Sequence, residues 1–253
     1  MTINVLYKRL DTIIPRSLSC EWDNDGLMCC PDGTKEVRRV LVTLDITDQT
    51  VQTAIDGGYD LIISHHPLIF KGLKCVNEDN AVAKKILKLI GSGISAFSFH
   101  TRLDAVNGGV NDTLASLIEL EDVVPFGEEA LGRIGTLKKP LPLERLALRL
   151  KTALCAEGVF IADSGRLCER VAVLGGNGSD DIDAAIATGA DTYISGTLKY
   201  HSMTDAPDMG INLIEAGHFY TEYPVCAVIK RMVEDIDSTI VCDLYNSNRI
   251  KLI

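Results

Sequence analysis

The sequence predicts an α/β protein built of two similar α/β units related by internal duplication, with a metal site between them. Three observations predict it. Short, β-branched apolar runs alternate with segments of helical spacing. One strand–helix–strand block recurs later in the chain. A histidine followed four residues on by an acid stands just past a strand-like run in both halves. The recurring block is RVLVTLDITDQTVQTAIDGGYDLIIS at 39–64 and RVAVLGGNGSDDIDAAIATGADTYIS at 170–195, at a gapless offset of 131 residues. Arg39, Val40 and Val42 match Arg170, Val171 and Val173; Gly58, Asp60, Ile63 and Ser64 match Gly189, Asp191, Ile194 and Ser195.

The first element is a short amphipathic helix in MTINVLYKRLDTIIP, stopped before Pro15 because the residue preceding a proline is driven out of the helical region. Residues 40–44 and 61–63 read as strands. The segment between them carries Thr and Asp near its start and Gly at its end, the marks of a helix. Strand–helix–strand with short connections implies parallel pairing and a right-handed crossover. ISAFSFHTRLD (94–104) and INLIEAGHFYTE (211–222) each hold a strand and then a histidine. Aligned on it, His100 meets His218 and Asp104 meets Glu222. HFYTEYPVCAVIKRMVEDI has helical spacing apart from Pro224 near its start, and TIVCDLYNS reads as a late strand returning to the first unit. The expected units are 1–126, completed by 223–253, and 127–222, opening near PFGEEALGRIG.

The net charge of −10 argues against broad electrostatic binding to nucleic acid or an anionic membrane surface. No apolar run reaches the roughly 18 residues of a membrane span, and the N-terminus lacks the apolar core of a signal peptide. Of eight cysteines none forms a CxxC pair, which excludes the usual thiolate zinc site; free thiols at this density point to a reducing cytoplasm.

The chain has only five histidines, and two are adjacent, in SHHPLIF at 64–70. Inside a strand, neighbouring side chains diverge. At a strand's carboxyl end, before Pro67, the chain turns and both rings aim at one crevice, where open α/β sheets place ligand sites. His218 and Glu222, four apart, share a helix face. Asp104 follows a strand and precedes a Gly-rich turn. His65, His66, Asp104, His218 and Glu222 thus form a candidate ligand set. Nitrogen and carboxylate donors without thiolate suit Zn, Mn, Fe, Co or Ni alike. Five ligands suit two divalent ions about 3.5–4 Å apart, and the excess positive charge suits a small anionic substrate.

Four motifs, EWDNDGL (21–27), SHHPLIFKGLK (64–74), HTRLDAVNGGVND (100–112) and AGHFYTE (216–222), resemble those of the GTP cyclohydrolase 1 type 2 homologues, also called Ngg-interacting-factor-like proteins. The resemblance covers nearly the whole chain. It implies a two-metal site on the same five residues, two α/β domains with the metals between them, and a toroidal hexamer. It implies hydrolytic opening of the GTP imidazole ring, giving formate and a dihydropterin triphosphate, or action on a related nucleotide or phosphate substrate. The alternative is a metal-dependent interaction or metal-handling protein without turnover, which the family's second name implies. The chain departs from the family at Arg102, where Asn is usual, and at Thr197, where an acid is common; both positions are expected to line the pocket. His100 and His201 lie in matching motifs and are expected near the site, as partners that orient the ligands or as proton carriers.

Overall fold

The computed structural model describes all residues, 1–253. Along the chain the elements are α1 (Ile3–Ile13), β1 (Gly26–Cys29), β2 (Arg39–Thr43), α2 (Asp48–Asp56), β3 (Leu61–Ser64), α3 (Ala81–Gly91), β4 (Ser95–Ser98), α4 (Thr101–Ala105), α5 (Val110–Leu117), β5 (Leu120–Phe126), β6 (Gly132–Leu141) and α6 (Leu143–Ala153). They continue with β7 (Phe160–Ala162), β8 (Cys168–Asn177), α7 (Ile182–Ala187), β9 (Thr192–Thr197), α8 (Tyr200–Asp205), β10 (Asn212–Glu215), α9 (His218–Glu222), α10 (Val225–Ile236) and β11 (Val241–Tyr245). No helix is long and apolar enough to cross a membrane.

The chain divides into two compact units, Met1–Val106 with Val225–Asn248, and Asn107–Pro224 with Arg249–Ile253. The first division falls earlier than the sequence boundary after residue 126. The reason is packing: α5 lies on β6 and β8, and β5 pairs with β6, so both belong with the second sheet.

The first unit holds a five-stranded sheet in the order β1-β4-β3-β2-β11. β2, β3, β4 and β11 are parallel, and β1 is an antiparallel edge on β4. β3 and β4 are buried along their whole length, as parallel strands covered on both faces are. Leu41, Ile62 and Ala96 pack into a core with Val51 and Ala54 of α2 and Ile86 and Leu89 of α3, while α10 packs on β2 and on α1. β11 is the late strand that TIVCDLYNS predicts, and it closes the open edge of β2. Thr47 caps α2 with a reciprocal Thr47–Thr50 box, and Thr2 caps α1.

The second unit holds a six-stranded sheet, β5-β6-β8-β9-β10-β7. Its parallel centre is β8-β9-β10, with antiparallel strands on either side. One apolar cluster joins Leu114 and Ile118 to Leu146 and Leu150 of α6 and to Val171, Val173, Ile194 and Ile214 of the strands. The other carries Ala172, Tyr193 and Leu213, which alternate with those residues, against Ile182 and Ala185 of α7.

The two strand–helix–strand blocks share one register at the offset of 131. Val40 pairs with Leu61 and Thr43 with Ser64; Val171 pairs with Thr192 and Leu174 with Ser195. Asp60 accepts from the backbone amides of Arg38 and Arg39, and Asp191 from those of Glu169 and Arg170. Beyond that block the alignment on the histidines shifts. Ser95 pairs with Leu61 and Asn212 with Thr192, so β4 and β10 correspond one residue out of step with the histidines. His100 falls at Gly217, each preceding its helix, and Thr101 falls at His218.

Candidate metal centre

In the first unit the adjacent histidines continue the β3 ladder for two residues, since the amides of His65 and His66 donate to Thr43 O and Leu44 O at 3.3 and 3.0 Å. The Ser64 hydroxyl then donates to His66 O at 2.7 Å. This local turn, closed by Pro67, defeats the alternation of a regular strand. The two rings lie 5.1 Å apart, centroid to centroid.

Each ring is held through Nδ1. His65, fully buried, donates from Nδ1 to the carbonyl of Phe99 at 2.9 Å. His66 Nδ1 lies 2.8 Å from Asp45 Oδ1, and Asp45 is itself held by the Ser247 hydroxyl at 3.1 Å. His100 Nδ1 lies 2.9 Å from Asp23 Oδ1. Carbonyl and carboxylate oxygens only accept, so Nδ1 is the donor in each neutral ring and Nε2 keeps its lone pair. That is the outer arrangement of metal-ligating histidines, in which an acceptor on the far nitrogen fixes tautomer and orientation. One ring nitrogen from each of His65, His66 and His100 lies within 4.8 Å of the others, a group able to hold a metal ion. Asp104, nearly buried on α4, has its Oδ1 3.7 Å from His65 Nε2.

The motif EWDNDGL acts from the opposite strand edge. Burial alone would raise the Asp23 carboxyl, but hydrogen bonds from His100 and Thr101 outweigh it and hold its pKa down at about 2. The same carboxylate accepts from the Thr101 amide and hydroxyl at 3.1 and 2.7 Å. Asp25 accepts from the His100 amide at 3.2 Å and from Arg102 Nε at 3.0 Å. Two aspartates therefore fix the start of α4, and with it Asp104.

Arg102 does not line a pocket. It is fully buried, bonded to Asp11 at 2.6 Å and to Ile14 O at 2.9 Å, and set over the Phe99 ring at 4.6 Å. Burial alone would lower its pKa, but the Asp11 hydrogen bond and the Asp25 charge raise it above the ordinary arginine range. Thr197 is exposed at the end of β9.

In the second unit, the turn at Gly217, with φ of +85°, leads from β10 into α9. Pro224, which has no amide hydrogen to donate, separates α9 from α10. His218 Nε2 and Glu222 Oε2, one turn apart, are 3.0 Å from each other, with Glu222 buried and His218 half-exposed. α9 lies close on β8 and β9: a Cβ at Gly176 would collide with the Glu222 carboxylate, and one at Gly196 would come within 2.8 Å of the His218 backbone. The Gly176 amide donates to the Thr221 hydroxyl at 3.1 Å, which fixes the helix over the strand ends. His201 is not part of the His218–Glu222 pair. It is exposed on α8 and lines a cavity with Ser179, Asp183 and Asp205.

Sequence reasoning missed Asp23 and Asp45. Asp45 offered a local signal, as the matching strand in the second half has Gly176 at that position; Asp23 lies in a quoted motif but 77 residues from its ring. Asp45→Ala should leave the fold in place and lower metal affinity by ~10–100-fold, the usual cost of losing an outer carboxylate partner. Competitive chelator titration checks this, and unchanged affinity would remove Asp45 from the site.

A model of the Duf34/NIF3 (NGG1p interacting factor 3) family matches residues 1–248. A Clostridium perfringens protein named GTP cyclohydrolase 1 type 2 homolog is 32% identical over 248 residues, covering 95% of this chain and 94% of its own. One of the same name from Nostoc is 37% identical over 226 residues, covering 87% and 83%. Among solved structures, a hypothetical protein of Staphylococcus aureus superposes with a TM-score of 0.88 at 29% identity, covering 100% of this chain and 99% of its own.

Proposed function

This chain belongs to the Duf34/NIF3 family, and from that premise we propose that it is a metal-dependent hydrolase acting on GTP or a related nucleotide or phosphate substrate. The observation that carries the reading is the set of His65, His66 and His100, each held through Nδ1 by an oxygen acceptor, which puts the lone pair of the neutral ring on Nε2. The donor chemistry, imidazole and carboxylate without thiolate, fits Zn, Fe, Mn, Co or Ni. The proposed ligands are His65, His66 and Asp104 from the first unit with His218 and Glu222 from the second, holding two divalent ions in one centre. Bound there, the ions would supply Lewis-acid polarisation of the substrate and a more acidic water.

The residues of the chain have separable tasks in this reading. Asp23 orients His100, whose Nε2 then takes and returns a proton, the general acid–base arrangement of a histidine backed by a carboxylate. Asp45 orients His66. The shared register of the two strand–helix–strand blocks supports their origin by internal duplication, with Glu222 one residue further along than the ladder register would place the counterpart of Asp104. A homo-oligomeric ring, which the resemblance implies, is part of the same proposal.

The test is elemental analysis of the purified protein, followed by a screen of nucleotides and phosphate esters with and without a chelator. Two transition-metal ions per chain and chelator-sensitive release of product are expected. Stoichiometric metal with no turnover across the screen would favour a metal-dependent interaction protein instead.

A further inference from the structure

Beside the three histidines of the first unit stand two large aromatic side chains that the metal chemistry does not use. Trp22 is 57% exposed and Phe70 46% exposed. Their ring centroids are 6.3 Å apart, and each meets His100 edge-on, Trp22 at 6.2 Å and Phe70 at 6.1 Å. The three rings form a triangle of nearly equal sides whose inner corner is the proposed proton carrier.

Both aromatics ride on segments tied down by polar contacts. Next to Trp22, Asp23 holds His100 and Thr101, and the Cys20 amide donates to Thr101 Oγ1 at 3.0 Å. Next to Phe70, the carbonyl of Ile69 accepts from the Asn24 side chain, which joins the two segments directly. Rings set in advance and left open to water lose little conformational entropy when a ligand covers them. In a chain of net charge −10, Lys71 directly follows Phe70, and Lys71 and Lys74 are both exposed. An apolar aromatic pair with cations alongside matches a planar ring that carries an anionic tail.

We propose that Trp22 and Phe70 are a stacking platform for the heteroaromatic base of a nucleotide, with His100 at its inner edge. This deepens the hydrolase reading by naming the part of the substrate that is recognised, and it rests on that reading for the reaction. Any of the bases offers a π-face for such stacking, so the platform selects a planar ring over a bare sugar phosphate.

Trp22 is the only tryptophan in the chain, so its fluorescence reports the platform directly and without turnover. Metal-free and metal-loaded protein would each be titrated with guanosine, GMP and ribose 5-phosphate. Guanosine and GMP should quench Trp22 saturably, and ribose 5-phosphate should not. Phe70→Ala, which keeps the reporter, should raise the Kd for GMP at least about fivefold, the lower end of what one lost stacking partner costs. Absence of quenching by both ring compounds, or an unchanged Kd in Phe70→Ala, would overturn the platform. So would a Trp22 emission that shifts only on dilution of the protein, which would assign the pair to contact between copies. Separate metal analysis keeps the two readings apart. A chain that holds metal but ignores the rings loses the platform alone, while one that stacks the rings but holds no metal loses the hydrolase.

Discussion

Glu222→Gln should leave a folded protein that retains at most one metal ion per chain. The substitution keeps the size of the side chain and removes one negative charge and one strong oxygen donor. In the proposed set, His65, His66 and His218 are neutral and Asp104 and Glu222 carry the only charge. With Gln at 222, a single carboxylate faces two divalent cations, whose mutual repulsion is then less offset. The loss should exceed the ~10–100-fold that outer partners cost, and the more weakly held ion should go first. The metal-free form should melt no lower than the parent, because a buried amide is cheaper to desolvate than a buried carboxylate. Metal content by elemental analysis, read with the melting temperature of both forms, separates the outcomes. Two ions retained would refute Glu222 as a ligand. A collapse of the metal-free fold would make the residue structural. His66→Ala, which removes one nitrogen donor and no charge, should be the milder change.

The second large effect is on stability. Arg102→Met should cost ~3–5 kcal/mol, the range for removing one partner of a buried ion pair. The side chain of Asp25 is only 1% exposed and would lose its guanidinium, whereas Asp11, at 38%, can turn to water. At ~2–4 °C per kcal/mol for a chain of this size, the melting temperature should fall by roughly 6–20 °C. Arg102 also bonds the carbonyl of Ile14 just past α1, so exchange protection should be lost first in α1 and α4. Arg102→Lys keeps the charge but not the fork and should lie between. A melting temperature within about 2 °C of the parent for Arg102→Met would show that the pair contributes nothing net.

Much of this was legible in sequence because it is local. The blocks at 39–64 and 170–195 carry strand and helix periodicities within a single window, and their pairing followed from short connections. The His65–His66 pair at a strand end, and His218 and Glu222 on one helix turn, are spacing signals that need no distant partner. Late return of 241–245 to the first sheet was readable as a strand with no neighbour nearby in sequence.

Other features depend on residues far apart in the chain. Periodicity could not say that α5 and β5 belong with the second sheet, since both elements look the same whichever core they join; packing on β6 and β8 decides it. The histidine alignment slipped by one because matching side chains is not matching hydrogen bonds, and the ladder register places Gly217 opposite His100. Arg102, charged and next to site residues, was expected to line the pocket. Its burial is settled by Asp11 and Asp25, which approach from segments 91 and 77 residues earlier. Sequence by itself thus determined which strand ends carry side chains with donor atoms suited to a metal. Only the tertiary structure decided which nitrogen of His65, His66 and His100 keeps the lone pair, because that depends on an acceptor, Phe99 O, Asp45 or Asp23, brought to Nδ1 by the fold.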